Sequence, residues 1–203
     1  GNAFRALDET VALSDAVRAA MQATSAEDTL ILVTADHAHT LNFVGYPARG
    51  NPILGKVRGS SGFDGTPGKL ALDLNGQPYT TLSYANGPGA AGATDAQPAG
   101  TKRYPHWPRK QLAPANGRPD LADVDTTDPD YLQEALVPLS SESHGGDDVG
   151  IWARGPGSAA IRGTLEQNAI YHVVVQATPR LRAARCAKGL CDANGVPVEL
   201  PRP

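Results

Sequence analysis

No apolar run in the 203-residue sequence approaches the roughly 20 positions needed to cross a bilayer, so the chain carries no candidate membrane span. Neither charge is in excess. Eighteen basic against 21 acidic side chains give a formal charge of −3, which excludes a broad cationic surface for phosphate backbones or anionic lipid; no nucleic-acid partner is expected. There is no Gly-x-Ser-x-Gly and no Gly-x-x-x-x-Gly-Lys-Ser/Thr, so neither a nucleophile elbow nor a phosphate loop can be assembled, and any chemistry would depend on metal. Internal repeats at solenoid periods are also lacking. Cysteine is scarce: Cys186 and Cys191 stand in Cys-Ala-Lys-Gly-Leu-Cys, and the four intervening residues exclude the redox Cys-x-x-Cys pattern. Two readings remain, a local disulfide loop turned by Gly189 or two reduced thiols in a tail; the disulfide is favoured and implies an oxidising compartment, periplasmic or extracellular. The first residues, Gly1-Asn2-Ala3-Phe4, have no initiator Met and run directly into a helical pattern, and the expectation is a processed or excised piece with something missing upstream.

What is present reads as α/β. The length lies between one large domain and two small ones and suffices for a real core. From Ala3 to about Thr24, Phe4, Leu7, Val11, Val17 and Met21 recur at mostly three- and four-residue steps, which predicts an amphipathic helix. After a break at residues 25–28, Thr29-Leu30-Ile31-Leu32-Val33-Thr34 is a continuous apolar run with β-branched members, which predicts a strand buried on both faces. Helix, short loop and buried strand is the rhythm of a largely parallel sheet.

Between Gly45 and about Leu136 the texture turns to Gly, Pro, Asn, Asp and Thr, with short strand-like pieces such as residues 79–84. This is an insertion large enough to need some sheet of its own. Within it, residues 103–110 mix basic and aromatic side chains, better read as a solvated loop than as a nucleic-acid patch. The expected organisation is a core segment over 1–45, an insertion over 46–136, and a second core segment over 137–203. In the last, residues 149–155 predict a strand, and Thr164 to about Thr178 predicts a helix opened by a capping box at Thr164-Leu165-Glu166-Gln167. From Pro179 the repeated Arg, Gly and Pro suggest a surface tail.

Two short stretches carry ligand chemistry. Asp36-His37-Ala38-His39 stands just after the buried run, where side chains leave the hydrogen-bonded ladder; carboxylate oxygen and neutral imidazole nitrogen are both good zinc ligands at about 2.0–2.2 Å. Ser141-Glu142-Ser143-His144-Gly145-Gly146-Asp147-Asp148 offers a second imidazole, two glycines that permit close approach of the backbone, and following carboxylates able to orient the ring. Each taken alone is more often an ordinary polar turn. His172, inside the late helical pattern, reads as a packed residue, and His106 as part of the insertion.

Taken together, residues 29–39, Gly45-Tyr46-Pro47-Ala48-Arg49-Gly50-Asn51 and His144-Gly145-Gly146-Asp147-Asp148-Val149 resemble, in the same order, the C-terminal half of alkaline phosphatases. Leu7-Asp8-Glu9-Thr10-Val11, Tyr84-Ala85-Asn86-Gly87-Pro88-Gly89 and Ala153-Arg154-Gly155-Pro156-Gly157 extend the resemblance over about residues 5–177. It implies the C-terminal part of a sandwich of a mainly parallel sheet and helices, with residues 46–136 as a crown-like insertion near a homodimer interface. It also implies hydrolysis of phosphate monoesters through a phosphoserine, with two zinc ions holding the attacking and leaving oxygens and a magnesium ion assisting. Asp36 and His37 match the pair on the zinc nearer the nucleophile, His144 matches a ligand of the other zinc, and His39 matches a nearby histidine that is not a ligand. The nucleophile, the phosphate-binding arginine, the magnesium ligands and the other zinc ligands match nothing here. They are expected in an upstream segment of the same protein, and this chain alone is expected to be nearly inactive. Two other classes stand beside this one: a non-catalytic interaction or dimerisation module, and a related metallohydrolase of sulfate esters or phosphodiesters.

Overall fold

The computed structural model describes residues 1–60, 67–90, 103–104 and 118–193. In chain order the elements are helix α1 (Ala3–Ala23), strands β1 (Ile31–Val33), β2 (Ala38–His39), β3 (Leu41–Phe43), β4 (Arg58–Ser60), β5 (Pro67–Leu70), β6 (Leu82–Gly87), β7 (Ala135–Pro138), β8 (His144–Gly145) and β9 (Trp152–Arg154), and helices α2 (Ala169–Ala177) and α3 (Pro179–Cys186). They fall into two compact units, one of residues 1–12 and 37–147, the other of residues 13–36 and 148–203. The mixed α/β composition agrees with the sequence reading.

The first unit is organised around β6. Leu82 and Tyr84 point to the side where Ala3 is buried, with Leu7, Leu41, Leu54 and Ala135 packed around them. On one edge β6 pairs antiparallel with β3, and on the other it pairs parallel with β7. The start of α1 joins this core through its cap: Asn2 Oδ1 accepts the Arg5 N–H at 2.9 Å, satisfying one orphan donor of the first turn. The Ala3 N–H donates to the buried Gln133 Oε1 at 2.5 Å. Two cations tie the loops of this unit down. Lys56 Nζ donates to the carbonyls of Leu121, Ala122 and Val124 at 2.8, 2.8 and 3.0 Å. Arg118 makes a two-pronged contact with Glu134 at 2.9 and 2.7 Å and reaches Asp73 and the Pro78 carbonyl as well. A planar guanidinium suits such a fork better than an ammonium would.

In the second unit β1 pairs antiparallel with β9, Leu32 opposite Ala153. Gly155 closes that pairing with φ +102°, and a Cβ there would overlap the Thr29 carbonyl oxygen. Only glycine meets both conditions. Val173 and Val175 of α2 are buried, and α3 follows directly, opened by Pro179 in its first turn and closed by the Cys186–Cys191 disulfide. The favoured reading of the two cysteines is therefore the observed one.

Several expectations differ from what is found. The apolar run at 29–34 does form a strand, but Ile31, Leu32 and Val33 are half-buried, because among the described residues it has a single neighbouring strand, and that one is antiparallel. Of the pairings described, only β6–β7 is parallel. The late helix begins at Ala169, not Thr164: the Ala169 and Ile170 amides close tight turns onto the Glu166 and Gln167 carbonyls, and no capping box forms. The stretch after Pro179 is helix α3 where a tail was expected. Along α1, Phe4, Leu7 and Val17 are half-buried whereas Val11 and Met21 of the same stripe are exposed. Most of the 103–110 stretch, including His106, lies outside the described residues.

Candidate metal centre

The first unit brings three histidines of the two sequence motifs together, His39 and His144 on a two-residue ladder and His37 immediately before it. In the β2–β8 pair, Ala38 faces Gly145 and His39 faces His144. Gly145 is required at this crossing, since a Cβ there would lie 2.7 Å from the His39 carbonyl oxygen. The close approach made by this glycine is thus to its own partner strand. The His37 and His144 rings stack with centroids 3.8 Å apart and planes 24° from parallel. His39 meets both rings edge-on, at 5.1 Å from His37 and 5.5 Å from His144.

Hydrogen bonds set the protonation of two of these rings. His37 Nδ1 lies 3.1 Å from the Ala38 carbonyl oxygen, and a carbonyl can only accept, so the proton sits on Nδ1. In the neutral ring Nε2 then carries the lone pair, which is the form of imidazole that binds a metal. His39 Nδ1 lies 2.6 Å from Glu142 Oε2, with the same consequence for its tautomer. Glu142 Oε1 in turn accepts the Thr40 N–H at 2.6 Å and the Thr40 hydroxyl at 2.7 Å. Burial raises the Glu142 carboxyl, but the hydrogen bonds from Thr40 and His39 outweigh it and hold the group below the usual glutamate range. Burial, reinforced by the Glu142 charge, pushes the Tyr84 phenol up to about 12.

The strand that presents His144 is clipped one residue earlier. Asn86 Nδ2 donates to Ser143 Oγ at 2.8 Å, and the Ser143 N–H donates to Asn86 Oδ1 at 2.9 Å. The Ala85 amide donates to the Thr40 carbonyl at 3.0 Å, so β6 supports both histidine-bearing segments. Beside His144 a cavity of about 330 Å³ is lined by Leu139, Ser140, Ser141, Glu142 and Ser143.

Asp36 belongs to the second unit, where it is exposed and its backbone carbonyl accepts from Gln167 Nε2 at 3.3 Å. Asp147 and Asp148 are exposed, and the carboxylate that orients an imidazole is Glu142, on the other side of His144 in sequence. Sequence reasoning passed over Glu142, Thr40 and Asn86. Glu142 lies outside the strands and bonds His39, a residue far away in sequence, so no local spacing signalled it. His172 is half-buried in α2, its ring 5.3 Å from that of Tyr171.

Among the described residues, no group of three or more His, Cys, Asp or Glu side chains is arranged to hold a metal ion by itself. The donor chemistry nevertheless fits zinc: the paired rings are imidazoles, and the His37 ring is held as the tautomer whose lone pair is on Nε2.

The family model for alkaline phosphatase matches residues 1–179. The chain is 34% identical to the tissue-nonspecific isozyme of alkaline phosphatase from Gallus gallus over 204 aligned positions, covering 98% of this chain and 33% of that protein. It is 36% identical to an alkaline phosphatase from Gadus morhua, covering 87% of this chain and 30% of the relative. A tissue-nonspecific isozyme from Felis catus is 34% identical, again over 87% of this chain and 28% of its own length. The chain therefore spans about a third of the length of the curated relatives it matches.

Proposed function

Because this chain belongs to the alkaline phosphatase family, we propose that it supplies part of the metal centre of a zinc-dependent phosphomonoesterase, with the rest of the site contributed by family segments outside these residues. The observation that carries the reading is the convergence of His37, His39 and His144 at the β2–β8 ladder, where the His37 ring stacks on that of His144 although the two come from motifs far apart in sequence. In it Asp36 and His37 serve the zinc nearer the nucleophile and His144 serves the other.

Zinc at such sites lowers the energy of a developing oxyanion and of the leaving oxygen. The chain's own groups do the positioning. His37, with its proton committed to the Ala38 carbonyl, offers Nε2 as a ligand atom. His144 is held at its height on the ladder by the glycine crossing at Gly145 and by the Asn86–Ser143 clip. His39 stands at the edge of both rings as a supporting group, its Nδ1 proton on Glu142.

The finer attributes follow from the same premise. A phosphoserine intermediate is formed on a serine of the upstream segment, where the magnesium ligands also lie. Residues 46–136 act as a crown-like insertion beside a homodimer interface, between core segments at 1–45 and 137–203. This chain is the C-terminal part of a larger sandwich of a mainly parallel sheet and helices, completed by the upstream segment. The disulfide in the C-terminal segment suits a periplasmic or extracellular protein.

The test is phosphatase activity on a generic phosphomonoester with zinc and magnesium added, for this chain alone and for the chain mixed with its upstream segment. Activity in the mixture only, abolished by His144→Ala, is the expected result. A folded mixture indifferent to zinc would overturn the reading in favour of an interaction module.

A further inference from the structure

His39 has no ligand role in the proposed function, yet its ring is held by a carboxylate. Its partner Glu142 is only 10% exposed at the side chain, whereas His39 is 52% exposed, so the anchor is buried and the ring it holds opens to solvent. The two carboxylate oxygens divide their work. Oε1 takes both donors of Thr40, and Oε2 takes His39 Nδ1. Glu142 also closes against β6, where its Cβ lies 3.4 Å from the position a Cβ on Gly87 would occupy. The carboxylate therefore sits where β2, β6 and the residues leading into β8 meet, and it cannot swing away without releasing Thr40.

We propose that Glu142 is a positioning residue that fixes the orientation and the Nδ1–H tautomer of His39 beside His37 and His144. An ionised carboxylate only accepts hydrogen bonds, so a ring nitrogen facing it must carry a proton. His39 is thereby kept, when neutral, with its lone pair on Nε2. The importance of this for phosphate ester hydrolysis rests on the proposed function; the tautomer itself does not.

The geometry makes a sharp prediction for Glu142→Gln. The amide has one acceptor oxygen and one donor nitrogen where the carboxylate has two acceptors. The Thr40 backbone N–H can only donate, so the amide oxygen must take the Thr40 side and the NH2 must face His39 Nδ1. A donor there requires an acceptor, and the neutral ring must move its proton to Nε2. One isosteric change should reverse the tautomer.

The experiment is long-range 1H–15N correlation on the imidazoles of the full 203-residue chain, metal-free and in alkaline buffer where free imidazole is neutral. The His39 resonances are assigned through a His39→Asn spectrum. Wild type is expected to show mostly Nδ1–H and Glu142→Gln mostly Nε2–H. A majority of Nε2–H in wild type would overturn the proposal, whether or not the variant folds. So would an unchanged tautomer ratio in a folded Glu142→Gln protein. A merely structural role would shift amide resonances and leave the tautomer alone. Zinc-dependent phosphatase activity of the wild-type chain mixed with its upstream segment separates the two ideas: tautomer reversal with a folded mixture indifferent to zinc removes the metal reading and keeps the role of Glu142, and zinc-dependent activity with an unmoved tautomer does the opposite.

Discussion

Asn86 and Ser143 exchange two hydrogen bonds immediately before His144, and Asn86→Ala removes both. Neutral hydrogen bonds contribute about 0.5–1.5 kcal/mol each, so the pair stabilises the unit by about 1–3 kcal/mol. The Ser143 amide is half-buried and would lose its acceptor, which places the expected loss in the upper part of that range, about 2–3 kcal/mol. Ser143→Ala removes the acceptor of the Asn86 amide and a long 3.3 Å bond to the exposed His144 carbonyl but leaves the Ser143 amide bond to Asn86 in place, so it should cost about 0.5–1.5 kcal/mol. Since the bond from Asn86 to the hydroxyl is lost in either single variant, the double variant should fall short of the sum by about the same 0.5–1.5 kcal/mol. Urea denaturation of all four proteins, followed by circular dichroism, closes the cycle. A loss below about 0.5 kcal/mol for Asn86→Ala, or additive behaviour of the pair, would refute the claim that β6 holds the His144 strand through this clip.

Lys56→Met keeps the aliphatic stem but strips three carbonyls of their donor, one of them on the buried Leu121. With bonds to a charged donor at about 1.5–3 kcal/mol each and the exposed Ala122 carbonyl recovering water, the expected loss is about 3–6 kcal/mol, with faster amide exchange over 121–126. Gly155→Ala combines a left-handed backbone with overlap on the Thr29 carbonyl, and should lower stability by more than about 2 kcal/mol, seen as an earlier transition of Trp152 fluorescence. Glu142 is held below its ordinary value of 4.5, so its contribution is present above that pH and is lost as pH falls through the depressed value. The stability difference between wild type and Glu142→Gln should accordingly shrink on acidification below 4.5, and a constant difference would contradict the assignment.

The parts of the fold that local pattern controls were legible in the sequence. The apolar run at 31–33 is a strand and the stripe from Phe4 is a helix, because a continuous β-branched run and a three-to-four periodicity act through nearest neighbours. The partner of β1 was not legible: β9 arrives from the far side of a long segment, and nothing in residues 29–34 encodes the direction of a strand so distant. The capping box at Thr164 did not form because the chain there runs through tight turns, the Ala169 and Ile170 amides bonding back to the Glu166 and Gln167 carbonyls, and the helix starts only at Ala169. Helix α3 had its signal in Pro179, which favours the first turn of a helix as readily as a loop. The three histidines were visible as motifs. That they meet through a glycine crossing, with a glutamate setting one tautomer, depends on cross-strand register, which residue types alone do not reveal.

The pairing of His39 with His144 joins the two ends of a very long excursion of the chain. The entropy of closing such a loop grows only logarithmically, by about 0.6 kcal/mol for each doubling of length. Lengthening or trimming the excursion therefore changes the cost of assembling the histidines very little, provided β3, β6 and β7 still bring its two ends together. Sequence divergence can accumulate between the two motifs while the ladder that carries the imidazoles is inherited unchanged.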